Sequence, residues 1–280
     1  MNRRITWIIM SVIMFLSAGV LIFYFLWANG YIDPPDTSPT TSYADFTYPS
    51  FDPTKKVEPA GTTDPQETVF TEQSAESSDV LVDFELLKSI NPDVIGWLHM
   101  SAPFLSQPIM MSPTNDNYYL SHNMVKEYDK SGSLYAEHKY NKPDFEDMCT
   151  IIYGHRRSDG SMFGNLQTAL KKVDLSSNPQ YIEIYLPDKI KIYQICATIP
   201  RDKKHILYYN DFDKKSVYSS FINQVYRSSG SAVDLVKDIK PKYGEKLLIL
   251  STCLRTDRSR RFLVIAKEIE SKPYNTDVTQ

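Results

Sequence analysis

From Ile5 to Trp27 the chain runs ITWIIMSVIMFLSAGVLIFYFLW, 23 residues without a charge or a proline. As a helix this run is about 34 Å long, enough to cross a hydrocarbon layer of about 30 Å. Arg3 and Arg4 precede it, and the 25 residues that follow carry acids but no base. That asymmetry predicts a cytoplasmic N-terminus at 1–4 and places everything after Trp27 outside the cell. A cleaved signal peptide would need a shorter apolar stretch, about 7–15 residues, closed by a small-x-small site. Here Ser17-Ala18-Gly19 lies mid-run. The sequence therefore predicts one retained transmembrane anchor over 5–27.

The formal net charge of the 280 residues is −3, but it is unevenly distributed. Residues 28–79 hold ten acids against Lys55 and Lys56, together with seven prolines and many Thr and Ser. Such a segment buries too little apolar area to offset its ordering entropy. It is predicted to be a disordered acidic stalk whose ends lie about 40 Å apart as a coil, repelled by an anionic bilayer surface. Residues 80–280 carry 27 bases and 24 acids. Neither an internal repeat nor a nucleic-acid signature is present.

Folded character begins near Val80 and extends to about 270, leaving 271–280 as a tail. DFELLKSI (83–90) predicts a helix that buries Phe84 and Leu87, with Leu86 and Ile90 as further candidates for that face, stopped by Asn91-Pro92. Strand-like runs follow at 94–98, 107–111, 133–136, 149–153, 181–186, 191–199, 246–251 and 262–269, with Pro187-Asp188 as a hairpin signal. Residues 118–124 read as a turn or short helical piece, and helices are predicted over 161–172 and 213–228. Many similar strands with inserted helices point to a mainly β, closed or sandwiched domain rather than a doubly wound sheet.

Three cysteines cannot make a disulfide framework. Cys149 and Cys196 sit inside apolar runs and read as small buried hydrophobes, although a Cys149–Cys196 disulfide would suit an extracellular compartment. Cys253 ends the run KLLILSTC and is followed by Arg255, Arg258, Arg260 and Arg261. Neighbouring positive charge favours the nucleophilic thiolate. Of the five histidines, His99, His122, His138 and His205 have no distinguishing context. His155 follows the apolar run 149–153 through Gly154, again at a strand end. No CxxC or HExxH spacing supports a metal site.

Tyr153-Gly154-His155, with DGSMFGNL at 159–166, and Leu250-Ser251-Thr252-Cys253 followed by Arg261 resemble sortases of class B. Asn91–Leu98 and Tyr118-Tyr119-Leu120 resemble that domain's N-terminal region, and the likeness spans about 83–269. The resemblance implies a closed sortase-type β-barrel with an N-terminal helix and a helix-bearing insertion near 206–230. It further implies a cysteine transpeptidase that needs no metal or other cofactor. Cys253 would attack the Thr carbonyl of a C-terminal sorting signal, His155 would shuttle protons and Arg261 would hold the oxyanion or substrate backbone, with Arg260 competing for that role. Ser251, Thr252, Leu120 and Tyr153 would line the substrate site.

Implied partners are secreted proteins whose signal resembles Asn-Pro-x-Thr-x or Ser/Pro-Pro-x-Thr-Gly, and an acceptor amine from a peptidoglycan precursor or a pilin. Two alternatives remain open on sequence: a hydrolytic cysteine peptidase, and a catalytically silent surface-binding domain.

Overall fold

The computed structural model describes residues 82–274. The anchor over 5–27, the stalk over 28–79 and the last six residues lie outside the described residues. Among the described residues no helix is long and apolar enough to cross a membrane.

The described chain opens with helix α1 (Phe84–Ile90) and strands β1 (Val94–Ser101) and β2 (Phe104–Met110). A 3-10 turn at Tyr118–Leu120 leads to β3 (Leu134–Tyr135), β4 (Cys149–Tyr153), the short helix α2 (Leu166–Leu170) and β5 (Tyr181–Tyr185). Next come β6 (Lys189–Asp202), helices α3 (Ile206–Tyr209) and α4 (Lys215–Val225), β7 (Asp234–Leu235), β8 (Leu247–Cys253) and β9 (Arg260–Pro273). The strand order is β5-β1-β2-β3-β4-β8-β9-β6-β7, and β5 also pairs with β6. That extra pairing closes eight strands into a barrel, with β7 attached outside it along β6.

Alternation along the strands sorts side chains between two sides. Leu98, Ile109, Ile152, Ile184, Ile195, Leu248, Leu250, Phe262 and Val264 fill one cluster inside the barrel. Their neighbours Cys149, Ile151, Ile199, Leu247, Ile249, Leu263 and Ile265 form a second cluster with Tyr218, Phe221, Ile222 and Val225 of α4. The α4 helix thus covers the outer face of β4, β8, β9 and β6. Burial on both faces explains why 149–153 and 246–251 are continuous apolar runs instead of alternating ones.

At the other side, α1 seats Phe84 and Leu87 against Trp97, Tyr185 and Tyr274. Leu86 and Ile90 remain substantially exposed, so that helical face is narrower than the sequence suggested. Asp83 caps α1, its carboxylate accepting from the Leu86 amide at 2.8 Å.

Two predicted helices are shorter than expected. Over 161–172 only 166–170 is helical, because 157–164 is held as a tight loop. There the Asp159 carboxylate accepts from the Ser161 amide and hydroxyl, Gly160 and Met162 take positive φ, and Arg156 bridges to Met162. Similarly, 213–228 contracts to Lys215–Val225. The three-residue loop between β5 and β6 contains Pro187-Asp188, as the hairpin signal predicted.

Beside β4 the barrel has a seam, because β3 reaches β4 only at Tyr135 opposite Tyr153. The side chain of buried Asn141 substitutes for the missing strand. It donates to the Cys149 carbonyl at 2.8 Å and accepts from the Ile151 amide at 3.1 Å. We predict that Asn141→Ala, which leaves both backbone groups without a partner, lowers stability by about 3 kcal/mol in urea unfolding.

Lys191 is buried on β6, where its ammonium meets Glu146 at 2.8 Å and Glu268 at 3.2 Å. Lys189 and Lys246 also converge on Glu146. Hydrogen bonds from Lys189, Lys191 and Lys246 hold the Glu146 carboxyl far below the usual carboxylate range. A depressed folded-state pKa means that the stabilisation is full above the unfolded pKa of about 4.3 and is lost as pH falls below it. Glu146→Gln is therefore expected to be destabilised relative to wild type at pH 7. The gap should narrow as urea titrations are repeated down to pH 3.

Candidate active site

Strands β4 and β8 are parallel and adjacent, with Tyr153 paired to Ser251. Continuing two residues along each brings His155 and Cys253 to the same level at one edge of the barrel. Cys253 is partly exposed, and it faces Arg261 across the antiparallel β8–β9 pair. The Arg261 Nη1 donates to Cys253 Sγ at 3.3 Å. Arg260 is exposed, and its carbonyl accepts from the Leu254 amide. The strand register thus selects Arg261 over Arg260 as the guanidinium that reaches the thiol. Arg255 and Arg258 are also exposed in the connecting loop.

His155 is half-buried, and its Nε2 lies 3.1 Å from the Leu120 carbonyl. A carbonyl only accepts, so in this contact Nε2 carries the proton. The 3-10 turn at Tyr118–Leu120 therefore orients the imidazole through its backbone, while the Leu120 side chain stays exposed. Preceding His155, Gly154 donates its amide to the Ser251 carbonyl at 3.2 Å and ties the two strand ends together.

Ser251 lies on the same strand face as Cys253, two residues away, and is buried. Thr252, by contrast, is paired with Phe262 and shares the barrel-interior face with Leu250. It is buried, and its Oγ1 has no hydrogen-bond partner. Strand alternation turns its side chain away from the thiol. Tyr153 stacks on Tyr135 and donates from its hydroxyl to Glu137 at 3.1 Å.

Cys149 and Cys196 are free, buried thiols, so the disulfide considered from the compartment is not formed. Burial pushes the Cys149 thiol far up and the Cys196 thiol up to about 12. Both are poor nucleophiles at neutral pH. Among the described residues, no three His, Cys, Asp or Glu side chains converge as metal ligands.

The sequence missed His205. Its context looked ordinary, yet the ring contacts Glu137, whose other partner is Tyr153. Glu137 lies 68 residues away in sequence, and no local signal links the two.

A partly exposed thiol with a guanidinium on its sulfur and an oriented imidazole level with it suits acyl transfer through a thioester. No protein-family model matches the chain. The chain is 28% identical over 217 residues to sortase B of Listeria monocytogenes serovar 1/2a, covering 75% of this chain and 84% of that one. In fold it is similar to Clostridium perfringens sortase B, with a TM-score of 0.56 at 24% identity, covering 67% of this chain and all of the other. It is also similar to Staphylococcus aureus sortase B solved as a substrate complex, with a TM-score of 0.54 at 25% identity and coverage of 67% and 84%. Barrel, thiol edge and relatives together support a sortase-type cysteine transpeptidase. Among sortases, the similarity of the chain is to those of class B.

Gly154 gives the site a steric test. A Cβ there would lie 2.6 Å from side-chain atoms of both Leu134 and Phe163, which are themselves buried. We expect Gly154→Ala to cost about 1–3 kcal/mol in urea unfolding. It should also shift the His155 ring resonances as the imidazole moves off the Leu120 carbonyl.

Proposed function

We propose that the chain is a membrane-anchored sortase that cleaves a C-terminal sorting signal and transfers the protein to an amine. The observation that carries this reading is the Arg261–Cys253 contact at the barrel edge that also holds His155. In the proposed reaction, the Cys253 thiol passes its proton to His155 as Sγ attacks the Thr carbonyl carbon of the signal. The amide C–N bond breaks, and His155 gives a proton to the departing amine. The acyl group remains on sulfur as a thioester, which keeps the acyl group activated without ATP. An incoming amine, deprotonated by His155, then attacks the thioester and releases the thiol. Arg261 donates to the developing oxyanion or to the substrate backbone, a use that suits its planar, permanently charged fork.

The donor would be a secreted protein with an Asn-Pro-x-Thr-x-like or Ser/Pro-Pro-x-Thr-Gly-like signal. The acceptor would be a peptidoglycan precursor or pilin amine. The apolar run 5–27 and the acidic segment 28–79 support an extracellular catalytic domain held at the membrane. Ser251 and the Leu120 side chain would border the bound peptide. Thr252 would support the strand from inside the barrel.

Incubating the full chain with peptides of both signal types should trap a thioacyl adduct on Cys253 by mass spectrometry. Adding peptide amines should convert it to ligated product. Cys253→Ala should give neither. Arg261→Ala and His155→Ala should each lower kcat/KM by about 100-fold or more. Hydrolysis alone, across all acceptors, would identify a peptidase instead. Full cleavage by Cys253→Ala would remove the nucleophile assignment.

A further inference from the structure

Glu137 and Lys191 are the two charged residues that are buried among the described residues. Lys191 is answered by two carboxylates. Among the described residues no lysine or arginine pairs with Glu137: its carboxylate takes hydrogen bonds from the Tyr153 hydroxyl at 3.1 Å and from His205 Nε2 at 2.8 and 3.0 Å. The other nitrogen of His205, Nδ1, accepts from the Tyr208 amide at 3.0 Å and so caps α3. An acceptor at Nδ1 and a donor at Nε2 fix a single neutral tautomer. The Tyr140 ring packs on the imidazole, with centroids 4.6 Å apart.

Three separate pieces of chain meet at this carboxylate. Glu137 follows β3, Tyr153 ends β4 one residue before Gly154-His155, and His205 opens the α3–α4 insertion between β6 and β7. Ile206, next to His205, is buried in the outer cluster that also contains Ile249 and Leu263, and Tyr153 and Leu207 pack against it. This is the strand face that carries Ser251 and Cys253. The adjoining Tyr208 and Tyr209 project into solvent.

We infer that Glu137 and His205 form a latch that positions α3 as one wall of the cleft over Cys253, so that recognition of the donor peptide depends on it. The inference rests on the transpeptidase reading of that cleft. Both are positioning residues, acting through Tyr153 and α3. Glu137→Ala leaves the Tyr153 hydroxyl and His205 Nε2–H without their acceptor. Glu137→Gln retains an amide oxygen for the imidazole.

The test uses the full chain and a quenched peptide carrying whichever signal the wild type cleaves best. Glu137→Ala and His205→Ala should each raise KM about tenfold with kcat within about twofold. The double variant should be no worse than either single one, and Glu137→Gln should recover most of the loss. In a parallel arm, amide hydrogen exchange at Tyr208 should quicken in Glu137→Ala while Phe221 in α4 stays protected. Unchanged KM, a loss confined to kcat, additive single effects or unaltered exchange at Tyr208 would each overturn the latch. If wild type processes no peptide, the transpeptidase reading fails by itself and the exchange result alone decides whether the latch exists.

Discussion

Two neighbouring strands that run in the same direction end at the same edge of a sheet, and the candidate site depends on that constraint. The parallel pairing of β4 with β8, in register at Tyr153 and Ser251, delivers His155 and Cys253 to one level. An antiparallel pair would have sent the two ends to opposite sides of the barrel. The next strand, β9, is antiparallel to β8, so its second residue, Arg261, comes back against Cys253. Strand direction and register thus bring three residues separated by up to 106 positions to one edge, with Arg261 in contact with Cys253.

Parallel strands at the centre of a barrel must be covered on both faces, and here α4 provides the outer cover. The insertion is therefore part of the core. Its helix α4 buries Phe221 and Val225 against β8 and β9, while α3 is held at Glu137 through His205. A short β3 would leave the β4 backbone unpaired, and Asn141 supplies from a side chain what a strand would have supplied from its backbone.

Elements defined by local patterns were legible in the sequence. The apolar runs at 149–153 and 246–251 are strands because short, continuously apolar runs fit strands buried on both faces. The thiol at the end of one and the imidazole after the other could be picked out by position alone. The sequence favoured Arg261 over Arg260 because it directly precedes the run 262–269, and strand register shows that Arg261 is the one facing the sulfur. The orientation of Thr252 away from Cys253 follows from the same alternation. Glu137 and His205 were invisible because their meeting depends on how a long insertion folds back over the sheet. The overestimated helix at 161–172 has a local cause: Asp159 and Gly160 form a turn that interrupts an otherwise helix-like pattern.

The burial of Cys149 and Cys196 bears on how this protein meets oxidants. Oxidation of Cys253 to a sulfenic acid could be rescued internally only by a second thiol able to reach it and form a disulfide. The chain's other two sulfurs are enclosed in the packed cluster beneath α4, with Cys196 engaged on the Ile265 carbonyl at 3.3 Å. The folded domain thus has no resolving cysteine of its own. Recovery from that first oxidation step must come from an external thiol, and without one further oxidation makes the loss permanent.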